Sequence, residues 1–371
     1  MTKVITYIII GIFSILFFSC NNKNTQNCKV LSVELKENEL EVSALFDKVK
    51  IIPLETTDES LITSIGRIIE YEDRYYILDD RIAVLFCFDQ SGRFLYKIDK
   101  NGVGPEEYNL IYEVIINQNH IYMLSPMGYI YAYSMEGDFI EKYRLPAGGE
   151  QDMTMLGNNI IAYWTLLGDP LENKVTFYNL EDKRVAGGFW KDNNDNFMSN
   201  MCIDVFYKYN NNNYFSTQYA NEVYCFNMDT IQLAYKWDFG NENLNLKPYA
   251  KEVKSDINLF PKLVDSMEIP YCFFRNFQND NYYYTILRSW PIDKWRNVFY
   301  RKKDGKSFVF DTLEGGAKIK DVSIFTDSCM ISVISPEEIS SCQKILSTED
   351  FERVKNIKDD SNLCLLKFYL K

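Results

Sequence analysis

Histidine is almost absent from this chain, since His120 is the only one among 371 residues. A zinc site built on several histidines is therefore excluded, and a catalytic triad would depend on this one side chain. We place His120 in a short turn of a predicted hairpin, away from the loops that we expect to carry function. The motifs of a serine nucleophile elbow and of a nucleotide-binding loop are also missing.

Positive charge is scarce as well, because 40 lysines and arginines stand against 52 aspartates and glutamates, which gives a net charge of −12. An acidic chain repels the phosphates of nucleic acids, so we predict no nucleic-acid partner. The nine cysteines include no C-x-x-C pair, and we predict neither a metal site nor a cofactor. Cys87 and Cys225 are interpreted as buried apolar residues. Cys329 and Cys364 fall in strands that could be neighbours, and a disulfide between them is left open.

A long hydrophobic run is also lacking, because the apolar stretch Ile8–Phe18 is shorter than the roughly 20 residues that span a bilayer. It follows Lys3 and ends just before Ser19-Cys20, which resembles a bacterial lipoprotein signal with Cys20 as the acylated residue. An ordinary secretory signal is the alternative. We predict a signal peptide over 1–19, a flexible tether with lipidated Cys20 over 20–40, and one folded domain over 41–371.

One strand–turn–strand pattern recurs along the folded part, first in Tyr71–Gly92 and again in Asn117–Gly137. Comparable aromatic residues lie about 45 residues apart, a period typical of propeller blades. Five blades of four short strands are predicted between residues 65 and 311. A sixth blade has only three predicted strands, and Val49–Glu55 near the N-terminus supplies the fourth. The sequence therefore predicts an all-β, six-bladed β-propeller that is closed by pairing its first strand with its last blade.

The two faces of this predicted propeller differ in loop length. Turns after the first and third strand of each blade are short, and together they define what we call the short-hairpin face. Connections after the second and fourth strand are long and define the long-loop face. Two of them, Lys247–Ile269 and Pro336–Ile357, have helical spacing. Long loops at one end of a rigid scaffold commonly build a site, so we predict that the long-loop face carries the function.

Several residues of this face are candidates for contact with a ligand or partner. The segment RSWPIDKWR supplies Arg288, Trp290 and Trp295, and tryptophan with arginine is typical of binding sites. For each candidate the alternative is a structural role, as a turn, a blade connector or packing over a blade. The other candidates are Asp80, Arg81, Glu106, Glu107, Tyr108, Trp164, Asp169 and Arg275.

The innermost strands offer a second set of polar residues near the propeller axis. An enzyme, such as a lyase or lactonase-like hydrolase with a Ca²⁺-dependent acidic centre, would need several acids there. The set is mixed in charge and shows no clear ring of ligands, so catalytic residues stay unassigned. It comprises Arg67, Glu70, Glu113, Asp152, Asp204 and Arg275.

Four features together resemble the six-bladed β-propeller lipoproteins of Gram-negative bacteria. They are the lipidation signal, IIPLET at 51–56, KNGVGPEEY at Lys100–Tyr108, and LLKFYLK at 365–371. The resemblance implies the propeller fold and a lipid-anchored place in the cell envelope, with the outer membrane expected and the leaflet left open. It implies no reaction. We therefore expect a membrane-anchored binding module for a protein, peptide or glycan, with the propeller enzyme as the alternative.

Overall fold

The computed structural model describes residues 28–371 except 37, 147, 166–172, 192–203 and 257. The predicted signal peptide, Cys20 and Asp169 lie outside this part. Six antiparallel sheets form the blades of a β-propeller, so the predicted fold is confirmed.

Three strands precede the first complete blade, namely β1 (Lys29–Ser32), β2 (Glu39–Leu40) and β3 (Phe46–Pro53). The first three blades follow in chain order. They are β4 (Arg67–Tyr71), β5 (Arg74–Asp79), β6 (Val84–Asp89) and β7 (Phe94–Ile98); β8 (Glu113–Asn117), β9 (His120–Ser125), β10 (Tyr129–Ser134) and β11 (Phe139–Arg144); β12 (Glu150–Leu156), β13 (Ile160–Thr165), β14 (Asn173–Asn179) and β15 (Arg184–Lys191).

The remaining blades are less regular and carry the insertions. Blade four is β16 (Phe206–Tyr209), β17 (Asn212–Ser216), β18 (Glu222–Phe226) and β19 (Ile231–Asp238), and blade five is β20 (Cys272–Gln278), β21 (Tyr282–Ser289), β22 (Lys294–Arg301) and β23 (Ser307–Phe310). A short strand β24 (Thr312–Leu313) pairs with β2. Blade six is β25 (Ile324–Phe325), β26 (Cys329–Ile334), β27 (Cys364–Leu370) and β3.

Tight turns on the short-hairpin face connect the first and second strands of the blades. The two-residue turn Glu72-Asp73 has positive φ angles of 46° and 60°, and Asn210-Asn211 has 47° and 60°. Such angles match the twist of neighbouring strands, and after glycine, asparagine and aspartate tolerate them best. The turns therefore fix the register of the innermost hairpins.

The chain ends close the ring in the way that the sequence predicts. Strand β3 pairs antiparallel with β27, so that Val49 lies opposite Phe368 and Ile51 lies opposite Leu366. Phe46 is buried against Phe368, with ring centroids 5.0 Å apart. This pairing removes the free edge that blade six would otherwise expose.

The prediction of a flexible tether over 20–40 is wrong for the residues of this range that the structure describes. Strand β1 pairs in parallel with β19 and adds a fifth strand to blade four. Leu31, Val33 and Leu35 are buried in one cluster with Trp237. These residues alternate with polar ones, which is the period-two pattern of a half-buried strand, and that signal was sufficient to predict a strand here.

The helical insertions lie on the long-loop face, as predicted. They comprise α1 (Ala250–Ser255) and α2 (Leu259–Asp265) between blades four and five, and α3 (Thr348–Val354) within blade six. The hydroxyl of Ser347 accepts a hydrogen bond from the Asp350 backbone N–H at 3.1 Å, which is an N-terminal cap. Short 3-10 helices lie at Val42–Ala44, Gly240–Glu242 and Pro336–Lys344.

The described residues also show the state of two cysteines and the character of the helices. Cys329 and Cys364 are both free, because they lie opposite Tyr369 and Ile334 at the two ends of the β26–β27 ladder. Of the helices in the described residues, none has the length and apolar character that crossing a bilayer requires.

Candidate functional site at the mouth of the propeller

Six charged side chains, one from each blade, meet on the propeller axis. Each lies in an innermost strand or just before it, and five of the six directly precede an apolar residue that is buried between blades. Strand pleating sends neighbouring side chains to opposite faces, so burial of the apolar residue turns the charged one toward the axis. We call these residues the charged ring: Arg67, Glu113, Asp152, Asp204, Arg275 and Asp321.

Arg67 holds one half of the charged ring. Its Nε donates a hydrogen bond to Glu113 at 2.7 Å, and its Nη2 also contacts this carboxylate. Its Nη1 lies 2.9 Å from Asp204 Oδ1, and its Nη2 lies 3.6 Å from Asp152 Oδ1. One guanidinium group thus connects blades one, two, three and four.

Arg275 holds the other half and is only 3% exposed. Its Nη2 lies 3.0 Å from both Asp204 Oδ2 and Asp321 Oδ1. Its Nη1 donates to the Val322 carbonyl at 2.8 Å and to Ser323 Oγ at 3.1 Å. Asp204 therefore gives one carboxylate oxygen to each arginine and joins the two halves into one network.

The backbone at two of the acids takes an unusual conformation. Asp204 has a φ of 55° and Asp321 has a φ of 44°. Left-handed angles are unfavourable for residues other than glycine, although aspartate tolerates them better than most. At both positions the carboxylate points toward Arg275, so the strained backbone places these two acids in the charged ring.

Burial and crowding shift the pKa values within the charged ring. Burial, reinforced by the nearby Glu113 carboxylate, raises the pKa of Asp152 well above its usual range. Burial also raises the pKa of Asp321, although Arg275 opposes this shift. Burial alone would lower the pKa of Arg67, but Glu113 and Asp204 outweigh it and raise that pKa. The raised pKa values of Asp152 and Asp321 reflect the burial of carboxylates in a ring where four acids share two guanidinium groups.

The charged ring separates two cavities along the axis. A cavity of about 420 Å³ opens on the long-loop face, and we call it the mouth. A second cavity, of about 410 Å³, follows the innermost strands toward the short-hairpin face. The mouth is lined by Ile65, Gly66, Asp80, Tyr112, Glu113, Gln151, Asp204, Phe274, Arg275, Arg288, Trp290 and Asp321.

An aromatic and cationic wall from blade five borders the mouth. The guanidinium carbon of Arg288 lies 3.5 Å from the ring centroid of Trp290 and 4.3 Å from that of Trp295. Trp290 is 46% exposed. Trp295 is buried below it, where its indole N–H donates to Asp293 at 2.9 Å. Burial lowers the pKa of Arg288.

The mouth brings together four of the candidates that the sequence predicts. Asp80, Arg275, Arg288 and Trp290 line it, from blades one and five. Trp295 supports the wall without reaching the surface.

The expectation that Trp164 anchors a partner is wrong. Its side chain is fully buried, and its ring centroid lies 5.2 Å from that of Phe215 in the packing between blades three and four. Arg81 is exposed on the long-loop face outside the mouth lining. Asp169 is not among the described residues.

The glycine-rich segment with Glu106, Glu107 and Tyr108 is a blade connector. The Glu107 carboxylate accepts a hydrogen bond from the Gly104 N–H at 2.8 Å. A Cβ at Gly102 would lie 1.9 Å from that carboxylate, so glycine there leaves room for the Glu107 side chain in its present position. Tyr108 is buried, and the Glu106 backbone carbonyl accepts a hydrogen bond from Tyr133. None of the three lines the mouth.

Five members of the charged ring are among the axial residues that the sequence predicts, but their arrangement as a ring was not predicted. Asp321 was not among the predicted axial residues, and in the structure it lies in the loop before β25. Glu70, which was also predicted near the axis, instead forms an ion pair with Lys367, at 2.9 Å from its Nζ. The recoverable signal is a charged residue directly before a buried apolar residue near the start of five of the six blades, the exception being blade five.

The fold and this axial site define the class, a six-bladed propeller with a charged plug below an open mouth. A family model described as a domain of unknown function, DUF4934, matches residues 28–369, and the chain belongs to this family. No curated protein matches the sequence.

Two solved structures are similar in fold. A presumed exported protein of Bacteroides fragilis NCTC 9343 shares 16% identity, covering 92% of this chain and 100% of its own, with a TM-score of 0.76. A member of the DUF4221 family from Bacteroides vulgatus ATCC 8482 shares 12% identity, covering 91% of this chain and 99% of its own, with a TM-score of 0.54. At these identities the likeness concerns the fold alone.

Proposed function

We propose that this protein is a binding module of the bacterial cell envelope and that its ligand enters the mouth on the long-loop face. The observation that carries the proposal is the shape of the mouth. It is an open cavity of about 420 Å³ with an exposed indole on its wall and a charged floor. Small-molecule sites commonly have volumes of about 300–1,000 Å³ and combine apolar walls with a few polar groups. The cavity would accept a short peptide segment, a sugar unit or a loop of a protein.

The enzyme alternative has one observation in its favour. Asp321 lines the mouth, and burial raises the pKa of its carboxyl group, as is typical of general acids. Against it, Arg275 contacts this carboxylate at 3.0 Å and limits its freedom to transfer a proton. Among the described residues there is also no group of three histidine, cysteine or acidic side chains arranged to hold a metal ion. The binding module is therefore the better-supported function.

Replacing Trp290 by alanine tests this proposal. Central aromatic anchors typically contribute 2 kcal/mol or more to binding, so we expect at least about a thirtyfold loss of affinity. Peptides and oligosaccharides that raise the melting temperature of the wild-type protein serve as ligands, since binding to the folded state stabilises it. Met127→Ala is the control, because Met127 is exposed on the same face outside the mouth. Ligands that bind Trp290→Ala and wild type equally would place the site elsewhere.

The anchoring of the module is the second part of the proposal. The apolar leader and Cys20 support export and acylation, and stable attachment needs more than one lipid chain, as lipoproteins carry. Cys20 lies eight residues before Cys28, a reach of at most about 29 Å. Strand β1 runs parallel to β19, whose first residue follows a turn on the short-hairpin face. At the N-terminal end of β1, Lys29 Nζ lies 4.9 Å from the ring centroid of Tyr283, which is near the short-hairpin face as well. These contacts support a bilayer on the short-hairpin side and a mouth that faces away from it.

Energy transfer to a labelled bilayer tests this orientation. A fluorophore at Glu136→Cys, in a short hairpin of blade two, should transfer energy to lipid dyes more strongly than one at Met127→Cys. Strand β10 connects the two turns, and its six residues correspond to a separation of about 20 Å. Cys28 and Cys225, which are partly exposed, are replaced by serine in both variants. Stronger transfer from position 127 would reverse the proposed orientation, and a Cys20→Ser variant that still binds the bilayer would argue against acylation.

A further inference from the structure

The geometry of the mouth points to a ligand that carries both a carboxylate, which Arg288 binds, and a hydroxyl or ammonium group, which Asp80 binds. This inference rests on the proposed function and specifies the chemistry of its ligand. The class is therefore a small hydroxycarboxylate or aminocarboxylate, free or at the end of a larger molecule.

Arg288 is a cation with unused hydrogen-bonding capacity. Its Nε is buried and has no hydrogen-bond partner among the described residues. The nearest carboxylate in an ion pair with it is Asp293, at 3.8 Å from Nη2, and Asp293 already accepts the indole N–H of Trp295. Arg288 lines the mouth. A buried donor without a partner is costly, so a ligand that engages this guanidinium group would offset part of that cost.

The aromatic wall fixes the plane of this guanidinium group. Trp290, Trp295 and Phe274 surround it at centroid distances of 3.5, 4.3 and 5.5 Å. An arginine that stacks on aromatic rings keeps its N–H edge available in a fixed plane, and that edge matches the two oxygens of a carboxylate. The two arginines of the charged ring are different, because acids and carbonyls of the protein already engage their nitrogen atoms.

The acids of the mouth favour a carboxylate over a phosphate or sulfate. Glu113, Asp204 and Asp321 line the same cavity. Like charges at short range repel, so a doubly charged phosphate suffers more than a singly charged carboxylate. A singly charged carboxylate bound to Arg288, at the blade-five wall, forms one strong ion pair and is repelled less by these acids than a doubly charged anion would be.

Asp80 supplies the second half of the recognition. Its carboxylate lines the mouth from blade one, and within the described part of the chain no hydrogen bond or ion pair engages it. Gly66 makes room for it, because a Cβ there would lie 2.8 Å from Asp80 Cβ. A free carboxylate accepts hydrogen bonds only, so it selects hydroxyl or ammonium donors on the ligand.

Two matched pairs of probes test the inference on the intact protein. D-glucuronate is compared with D-glucose, and glycyl-alanine with its C-terminal amide, at constant ionic strength and with tryptophan fluorescence as the readout. Within at least one pair we expect the acid to bind about tenfold or more tightly than its neutral partner, since charged hydrogen bonds contribute on that scale. The pair that shows the preference identifies the source of the carboxylate. Inorganic phosphate should bind more weakly than that acid.

Variants then assign the preference to Arg288. Arg288→Gln and Arg288→Lys should each lose the preference for the acid, because neither offers the planar fork, whereas Arg81→Ala on the same face should keep it. Unchanged melting temperatures would exclude a fold defect. Acids that bind no better than their neutral partners, phosphate that binds more tightly, or an unaltered preference in Arg288→Gln would each overturn the inference. If Trp290→Ala still abolished binding of a neutral ligand, the proposed function would stand while this inference failed.

Discussion

Arg275→Met is expected to destabilise the protein by about 3–5 kcal/mol, since it removes one partner of a buried ion pair and leaves the others uncompensated. Arg275 is 3% exposed and contacts both Asp204 and Asp321. Without its guanidinium group, these two carboxylates would keep Arg67 as the one remaining arginine of the charged ring. Denaturant unfolding, followed by intrinsic fluorescence, measures the loss.

A second variant separates the charge from the side-chain volume. Arg275→Met combined with Asp204→Asn removes a carboxylate together with its partner, so part of the lost stability should return. Exposed Arg184, which pairs with Asp182 at the surface, provides the control, and Arg184→Met should change stability by less than about 0.5 kcal/mol. Equal effects of Arg275→Met and Arg184→Met would mean that the charged ring does not hold the blades together.

Phe46→Ala is the other substitution with a large expected effect, a loss of about 3–5 kcal/mol, which is typical of buried phenylalanine. Phe46 lies at the start of the closing strand, and its ring contacts Phe368 at 5.0 Å and Phe299 at 6.2 Å between centroids. The substitution therefore opens a cavity where β3, β27 and blade five meet.

The measurement for Phe46→Ala is the unfolding midpoint together with limited proteolysis of the N-terminal segment. Cleavage should begin near β3, because the closing strand loses its main buried contact. Ile140→Ala, at an exposed position of the outer strand of blade two, should leave both readings unchanged. A stable Phe46→Ala variant with a protected N-terminus would show that ring closure depends little on this strand.

Most of the fold could be predicted from the sequence because its signals are local. Two-residue turns rich in asparagine and aspartate fix the hairpins, and alternating apolar residues fix the faces of the strands. Closure was predictable because VKIIPLE remained without a blade while blade six lacked a strand. Strand β1 carried the same alternation in VLSVEL, but the polar residues before it favoured a tether.

The site was harder to predict because its order appears only after the ring closes. Members of the charged ring are separated by 46, 39, 52, 71 and 46 residues, because helices and long loops interrupt the repeat. Their identities also vary between arginine, glutamate and aspartate, so no motif recurs. Trp164 and Trp290 show the same difficulty, since one is fully buried and the other is 46% exposed, although both belong to aromatic-rich segments.

The most direct test of the central claim, that the mouth is the binding site, is photo-crosslinking in native cell envelopes. A benzophenone amino acid replaces Tyr112 in the mouth or Val185 on the outer strand of blade three, which are 39% and 41% exposed. We predict one defined adduct at position 112 and none at position 185, and Trp290→Ala should abolish that adduct. Adducts at position 185 together with none at position 112 would contradict the claim.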